Sequence, residues 1–258
     1  VREARAFADF DVLCLQEVSD GCDDLDGCDG ADQFAALAAL LPAYTPIAGV
    51  AYDGPGPRGR RRFGNMILSR LPVEHVLRHT LPWPADPARS MPRGALEVMV
   101  RAAFGPVRVV TTHLEYWSAP LRAAQVEGLR RIHAEAASRA LHPGEEGPGI
   151  YRQGARSPSA ILTGDFNMPP DDASVVRLTA PFPQGVPGLR DAWTIARPGA
   201  PQPPTFCLED RTWGEPKACD LVFVTEDLAP LVLSAAVNAA TRASDHQPVL
   251  VELGSSRS

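Results

Sequence analysis

The sequence has no long apolar segment, no closely spaced cysteine pair and only one lysine, Lys217. No run approaches the roughly 18 uninterrupted apolar residues of a membrane-spanning helix, so no transmembrane segment is predicted. The absence of a Cys-x-x-Cys pair argues against a zinc ribbon. A Gly-x-Ser-x-Gly turn is also missing, which leaves little support for a serine acyl hydrolase.

The charge balance argues against extended nucleic-acid binding. The formal net charge is −6, whereas a protein that holds long nucleic acids on a broad face is usually basic. A basic helix or an aromatic ladder for single strands is also missing. A compact site for one phosphate group is compatible with this balance, because such sites can be basic inside an acidic protein.

The 5 cysteines leave the cellular compartment open. Cys14 lies in an apolar run and is predicted to be a buried thiol. Cys22 with Cys28, and Cys207 with Cys219, flank acidic loops and could form two local disulfides, which would imply export. The sequence shows no signal peptide, so a cytoplasmic location is favoured, with export possible if an upstream signal is missing.

Short runs rich in Val, Ile and Leu predict buried strands over residues 12–15, 65–69, 95–102, 107–112, 159–163, 221–225 and 248–252. Helices are predicted over residues 2–10, 31–41, 120–140 and 173–178. The Pro- and Gly-rich stretches 142–158 and 181–204 are predicted to be surface loops. Polar motifs lie on both sides of each loop and no repeat is visible, so residues 1–258 are expected to form a single domain.

Carboxylates follow two of the predicted strands, where active sites of mixed sheets often assemble. Glu17 follows the strand at 12–15 and is a candidate ligand for Mg²⁺, which prefers carboxylate oxygens. Asp165 and Asn167 follow the strand at 159–163, and residues two apart in an extended turn can point the same way. Asp165 would then hold the metal or the attacking water, and Asn167 would donate to a phosphate oxygen. The alternatives are an exposed strand-end glutamate and an Asx turn that only caps the backbone.

Two histidines occupy similar positions. His113 ends the strand at 107–112, where an imidazole can stabilise a phosphate oxygen, or can be a structural residue bonded to a carbonyl. His246 is a candidate general base. Its neighbour Asp245 should point the opposite way in an extended segment, so Asp220 is the better candidate to orient His246. Asp245 would then be a further ligand of the metal or of water. The alternative is that Asp245 and His246 are only a pair of surface residues.

Two arginine motifs are candidates for substrate binding. The run at residues 58–62 usually indicates a solvated loop. If that loop overhangs the site, Arg60, Arg61 and Arg62 would clamp a phosphate or an anionic leaving group. Arg93, just before the strand at 95–102, is a weaker candidate for the same role.

In their order along the chain, these motifs resemble those of the endonuclease/exonuclease/phosphatase superfamily, which has the DNase I-like fold. The matching segments are LQEV at 15–18, GNMILS at 64–69, THL at 112–114, GDFN at 164–167, CDLV at 219–222 and SDH at 244–246. Each is weak alone, but six in family order over nearly the whole chain make a specific match. The resemblance implies an α+β fold, a four-layered α/β/β/α sandwich of two packed mixed β-sheets flanked by helices.

The resemblance also implies an Mg²⁺- or Mn²⁺-dependent phosphoric ester hydrolase, with a role for each motif residue. Glu17 and Asp245 resemble the family's metal-site carboxylates, and Asn65, within GNMILS, is taken as a substrate-binding candidate. His246 resembles the family's general base, and Asp220 resembles the carboxylate that orients this base. Asp165 and Asn167 resemble the pair that positions the water and the phosphate. His113 resembles the histidine that stabilises the phosphate. Family members begin with a strand that carries a metal-binding asparagine. The chain starts inside the helix that follows this strand, so we expect the natural protein to carry the strand upstream of Val1.

The substrate is left open among a small molecule, a lipid head group and a nucleic acid. The leading interpretation is a phosphodiesterase or phosphatase that uses an in-line attack of water. The alternatives are a divalent-metal endonuclease or exonuclease, and a silent family scaffold, against which the presence of both His113 and His246 argues. No stable protein partner is implied. Trp83, Tyr116 and Trp117 could line a lipid-binding rim, although core packing explains tryptophans more often.

Overall fold

The computed structural model describes residues 1–25, 28–57, 59–152, 154–183 and 185–254. Its helices are α1 (Arg2–Phe7), α2 (Gln33–Leu40), α3 (Ala119–Leu141), α4 (Ala173–Thr179) and α5 (Ala192–Ala196). Its strands are β1 (Val12–Asp20), β2 (Thr45–Gly56), β3 (Gly59–Ser69), β4 (Val73–Thr80), β5 (Gly94–Ala102), β6 (Gly105–His113), β7 (Ala160–Asp165), β8 (Leu189–Asp191), β9 (Asp220–Thr225), β10 (Val232–Val237) and β11 (Val249–Leu253).

The strands form one large sheet that faces two smaller ones. The six-stranded sheet has the order β4-β5-β6-β7-β9-β8, and β6 and β7 are its parallel neighbours. Opposite it lie the antiparallel sheets β1-β3-β2 and β10-β11. The apolar core between the layers joins Val98 and Val109 of the large sheet to Ile67 and Val251 of the small ones.

Helices cover the outer faces of this sandwich. The face of α3 that carries Val126, Leu129 and Ile132 packs on the large sheet. Ser118 caps the start of α3 by accepting a hydrogen bond from the Leu121 amide at 3.2 Å. Residues of α1 and α2 pack against Leu68 on the far side of the three-stranded sheet. The layers are therefore helix, sheet, sheet and helix, which confirms the predicted α+β sandwich.

All seven predicted strands form, but four strands were not predicted: β2, β4, β8 and β10. Each lies at an edge of its sheet. Edge strands are often short or polar and tolerate Pro and Gly, so they lack the apolar pattern of central strands. The predicted loop over residues 181–204 was also partly wrong, because it contains β8 and α5. Asp191 caps α5 by accepting from the amides of Trp193 and Thr194.

Two further expectations are corrected by the structure. Arg60, Arg61 and Arg62 belong to β3, because the β2–β3 hairpin continues to Gly56 and Gly59, so they do not form a loop. Arg58 lies outside the described residues. The pairs Cys22–Cys28 and Cys207–Cys219 are not disulfides, since all four thiols are free. Within the described residues, every helix is too short or too polar to cross a lipid bilayer.

Candidate active site

Three neighbouring strands of the large sheet bring polar side chains into one row. The parallel register of β6 and β7 places His113 opposite Asp165, and the β7–β9 pairing places Asp165 opposite Asp220. Gly164 permits this close approach, because a Cβ atom there would lie 1.9 Å from the Thr112 carbonyl oxygen. The row lies where β6 and β7 end, as the sequence motifs predict.

Glu17 reaches the same region through a bulge in β1. The pairing of β1 with β3 shifts between Leu15 and Val18. Two residues of β1, Gln16 and Glu17, therefore lie opposite the single residue Asn65 of β3. Gln16 donates a hydrogen bond of 2.8 Å to the Thr111 hydroxyl, and Glu17 has a positive φ of 59°. A bulge of this kind re-aims a side chain. Here it leaves the Glu17 carboxylate 3.9 Å from His113 Nδ1.

His246 is held from two sides. Its Nδ1 lies 2.8 Å from Asp220 Oδ2, and the Phe206 ring stacks on the imidazole with a centroid distance of 4.5 Å. The adjacent Asp245 is exposed and does not make this contact. With Nδ1 bound to Asp220, the Nε2 atom faces Asp165 Oδ2 at 3.8 Å. This geometry orients an imidazole for proton transfer at Nε2.

Asp165 lies between the two histidines. Its Oδ2 is 3.5 Å from His113 Nε2 and 3.8 Å from His246 Nε2. Its Oδ1 accepts from the Asn167 amide at 2.8 Å, which is the Asx turn considered as the alternative. Asn167 has a φ of 54°, and its Nδ2 donates to the Leu114 carbonyl. Nδ2 carries a second proton, so one donor is left for a ligand.

Arg93 and Asn65 complete the wall next to Glu17. Arg93 is 7% exposed, and its Nε lies 3.5 Å from Glu115 Oε2 without a hydrogen-bond partner. Glu115 thus faces Arg93. Asn65 Nδ2 donates to the Gly94 carbonyl, while its buried Oδ1 has no partner. Each side chain therefore has a buried polar atom without a hydrogen-bond partner.

The charges in the site shift its pKa values in opposite directions. Burial first, and then the charge of Asp220, raise the pKa of Asp165 to about 7. Although burial lowers it, the hydrogen bond and charge of Asp220 raise the pKa of His246 to about 9. Burial and the charge of Arg93 hold the pKa of His113 well below 6.5, so this imidazole is neutral. Because Asp165 and His246 face each other, the protonation of one affects that of the other.

The donor set fits a hard divalent cation. Desolvation by the surrounding groups, and then the charges of Asp245 and Asp220, raise the pKa of Glu17, although its side chain is 60% exposed and the charges of His246 and Arg93 oppose the shift. Cys219 also has a ligand atom within 4.8 Å of those of Asp165 and His246. Burial raises the pKa of the Cys219 thiol, which makes the neutral thiol a poor ligand. The carboxylates, with the unpartnered Asn65 oxygen, suit Mg²⁺ or Mn²⁺.

An aromatic cluster borders the site. Tyr116, Trp117 and Trp213 meet edge to face, with centroids 4.8 to 6.4 Å apart. Lys217 Nζ lies 4.8 Å from the Tyr116 ring centre and 5.3 Å from that of Phe206. Sequence reasoning missed Phe206, Trp213 and Lys217, because no motif marks the loop that carries them.

Several predicted substrate-binding residues lie elsewhere. Arg60 binds Asp53 at 2.6 Å, Arg61 pairs with Asp24, and Arg62 lies 3.0 Å from Asp20. These local ion pairs hold the arginines along the β2–β3 hairpin, and the structure does not bring them to His246. Trp83, predicted as part of the aromatic rim, is 52% exposed and donates to the Ser90 hydroxyl at 3.0 Å.

Comparisons with known proteins agree with this geometry. The model of the "Endonuclease/Exonuclease/phosphatase family" matches residues 1–246. Among solved structures, an endonuclease/exonuclease/phosphatase from Bacteroides vulgatus has a TM-score of 0.67 and 20% identity, covering 98% of this chain and 87% of that chain. A mannosyl-6-phosphatase from Bacteroides thetaiotaomicron has a TM-score of 0.64 and 19% identity, covering 98% and 88%. Truncated Caenorhabditis elegans TDP2 has a TM-score of 0.56 and 19% identity, covering 93% and 82%. No curated protein matches the sequence significantly.

Proposed function

Because the chain belongs to the endonuclease/exonuclease/phosphatase family, we propose that it is a metal-dependent phosphoesterase that hydrolyses a phosphodiester or phosphomonoester by in-line attack of water. The observation that carries the proposal is the row of His113, Asp165 and Asp220, with His246 bound to Asp220 at 2.8 Å. A phosphatase among the structural neighbours supports the same reaction class.

Glu17 and Asp245 are the proposed ligands of Mg²⁺ or Mn²⁺, with the unpartnered Oδ1 of Asn65 nearby. When bound, the ion supplies positive charge that neutralises phosphate oxygens as the transition state forms. The bulge in β1 matters here, because it turns the Glu17 carboxylate toward His113.

Asp165 and His246 are the proposed acceptors of the proton from the attacking water. Their facing atoms are 3.8 Å apart, so the protonation of one affects that of the other. The pKa values are raised to about 7 for Asp165 and about 9 for His246. Asp220 fixes Nδ1 of His246, so the proton can be exchanged only at Nε2. Whichever member of the pair is unprotonated takes the proton as the oxygen bonds to phosphorus, and the leaving oxygen departs from the opposite side.

His113, Asn167 and Arg93 are the proposed phosphate-binding residues. His113 is neutral and has an unpartnered Nδ1, and Asn167 keeps one free Nδ2 proton. Arg93 contributes a buried positive charge with an unpartnered Nε. Donors that are already positioned and partly desolvated stabilise developing charge more than the same groups in water.

The aromatic cluster of Tyr116, Trp117 and Trp213 is the proposed contact for the leaving group. Trp117 and Trp213 are each nearly half exposed, at 47% and 45%, although they touch. Exposed rings beside a polar site bind planar or apolar groups. A nuclease remains the second candidate within this reaction class, but the net charge of −6 disfavours long nucleic acids.

Hydrolysis of bis-p-nitrophenyl phosphate and p-nitrophenyl phosphate tests the proposal, with Mg²⁺, Mn²⁺ or EDTA. We expect metal-dependent release of nitrophenol, and the ratio of the two rates indicates diesterase or monoesterase preference. His246→Ala should lower kcat by about 100-fold or more, while the exposed His142→Ala serves as the matched control. Equal rates in the two variants would remove His246 from the reaction.

A further inference from the structure

A cavity of about 490 Å³ opens on the outer face of the six-stranded sheet. Its floor is formed by β4, β5 and β6, one wall by α3, and its roof by residues 150–152, 154, 156 and 157. Arg108 in this floor and His113 in the active site are five residues apart on β6, or about 17 Å. An odd separation also directs their side chains to opposite faces of the sheet. The cavity is therefore distinct from the catalytic row.

Arg108 is buried beneath this cavity with one end unsatisfied. It is 2% exposed, its Nε donates to the Ser157 carbonyl at 3.1 Å, and its Nη2 lies 2.7 Å from His133 Nδ1. Its Nη1 has no hydrogen-bond partner and lies 3.7 Å from Glu97 Oε1. The guanidinium is therefore closed off from solvent, and its charge is paired with Glu97 only at this longer distance.

The cavity carries more positive than negative charge. Glu97 is paired with Arg108, and His79 Nε2 lies within hydrogen-bond distance of Glu97 Oε2, at 2.9 Å. Beyond this group, the cavity is lined by three further arginines, Arg139, Arg152 and Arg156. The carboxylates close to these arginines have competing cations. Glu74 binds Arg101, and Glu135 lies 3.9 Å from both Arg131 and Arg139.

The rest of the lining is apolar. Leu77, Met99 and Ala136 form the inner surface, and Ile150 and Tyr151 stand at the mouth. Ile150 is 94% exposed and Tyr151 is 72% exposed, although both are large hydrophobic side chains. Burying them against a ligand would remove apolar surface from water, which favours a ligand with an apolar body.

We propose that this cavity binds a small amphiphilic anion, with an acidic head group against Arg139 and Arg156, above the buried guanidinium of Arg108. The apolar body of the ligand packs on Leu77 and Met99 and beneath Ile150. The volume suits a chain or ring of small-molecule size. This site is separate from the proposed phosphoesterase site and does not depend on its reaction.

Calorimetric titration with octanoate, a carboxylate that no phosphoesterase can cleave, tests the proposal. We expect saturable binding of one octanoate, and weaker binding of both butanoate and uncharged octanol. The double variant Arg139→Ala/Arg156→Ala should weaken octanoate binding about tenfold or more, because two charged donors are lost. Arg131→Ala is the matched control, because Arg131 lies on α3 but does not line the cavity.

Two further readouts make the result decisive. His246→Ala should keep full octanoate affinity, and thermal unfolding should show that the arginine variants are folded. Absence of saturable binding to the wild-type protein, or equal affinity in the double variant and the control, would overturn the proposal. Loss of binding in His246→Ala would place octanoate in the catalytic site and overturn it as well.

Discussion

At the scale of single residues, the contact of Asp220 with His246 orients the imidazole that we propose as a proton acceptor. The carboxylate is the main cause of the raised pKa of His246, and it binds Nδ1 at 2.8 Å. Asp220→Asn should lower the pKa of the imidazole and lower kcat by about 100-fold, because Nε2 loses its fixed protonation state. NMR titration of His246 measures the first effect and steady-state kinetics the second. The exposed Asp171→Asn is the control, and an unchanged pKa in Asp220→Asn would contradict the assignment.

His133 makes stability depend on pH without taking part in the reaction. Burial, and then the charge of Arg108, lower the pKa of His133 to about 4. The unfolded chain binds this proton more readily, so stability is complete above about pH 6.5 and falls toward pH 4. The loss amounts to about 3 kcal/mol. His133→Gln can still accept from Arg108 and donate to the Pro187 carbonyl.

Urea unfolding of the wild-type protein and His133→Gln at pH 7 and pH 4.5 measures this contribution. The variant should lose less stability on acidification than the wild-type protein, because it has no imidazole to protonate. Identical pH dependence in the two proteins would contradict the assigned role of His133.

The polar residues of the site could largely be predicted from the sequence, because each stands at the end of an apolar strand. Glu17, Asp165 and His246 are examples. Phe206 could not be predicted, because its stacking on His246 depends on a backbone bridge between distant segments. The ion pairs of the β3 arginines could not be predicted for a similar reason. Their partners Asp20, Asp24 and Asp53 are either distant in sequence or not part of any recognisable motif.

At the scale of elements, the bulge in β1 sets a backbone requirement at Glu17. Its φ of 59° is a left-handed conformation that glycine adopts freely and other residues adopt with strain. Glu17→Gly should therefore be more stable than Glu17→Ala by about 1 kcal/mol, although both lose the carboxylate. Urea unfolding of the two variants measures the difference.

Glu3, within α1, provides the opposite control for this comparison. In an ordinary helix Glu3→Gly should be less stable than Glu3→Ala by about 1 kcal/mol at most. If the Gly variant were the less stable one at both positions, the bulge would not have the left-handed conformation described here.

Central strands were predictable from apolar runs, while the four strands that were not predicted all lie at sheet edges. β6 contributes Val107, Val109 and Val110 to two apolar cores, so its sequence is apolar on both faces. The edge strand β2 contains Pro46, Pro55 and several glycines, which ordinarily indicate a loop. Its strand conformation comes from pairing with β3 along nearly its whole length, which is a long-range property.

At the scale of the whole molecule, the four-layered sandwich separates two surfaces of different character. The polar row lies at the strand ends between the sheets, and the arginine-lined cavity lies on the outer face under α3. Six motifs in family order were enough to predict the sandwich. They say nothing of the outer cavity, because its lining depends on how the segment before β7 folds over the sheet.

We propose that the carboxylate-lined site uses a divalent cation for phosphoester hydrolysis. This is tested by the initial rate of bis-p-nitrophenyl phosphate hydrolysis as a function of Mg²⁺ concentration, in the wild-type protein and in Glu17→Gln. We expect a saturable rise in rate that EDTA abolishes, with half-saturation in Glu17→Gln shifted to about tenfold higher Mg²⁺ or more. A rate that is independent of Mg²⁺ and EDTA, or an identical titration in the two proteins, would contradict the proposal.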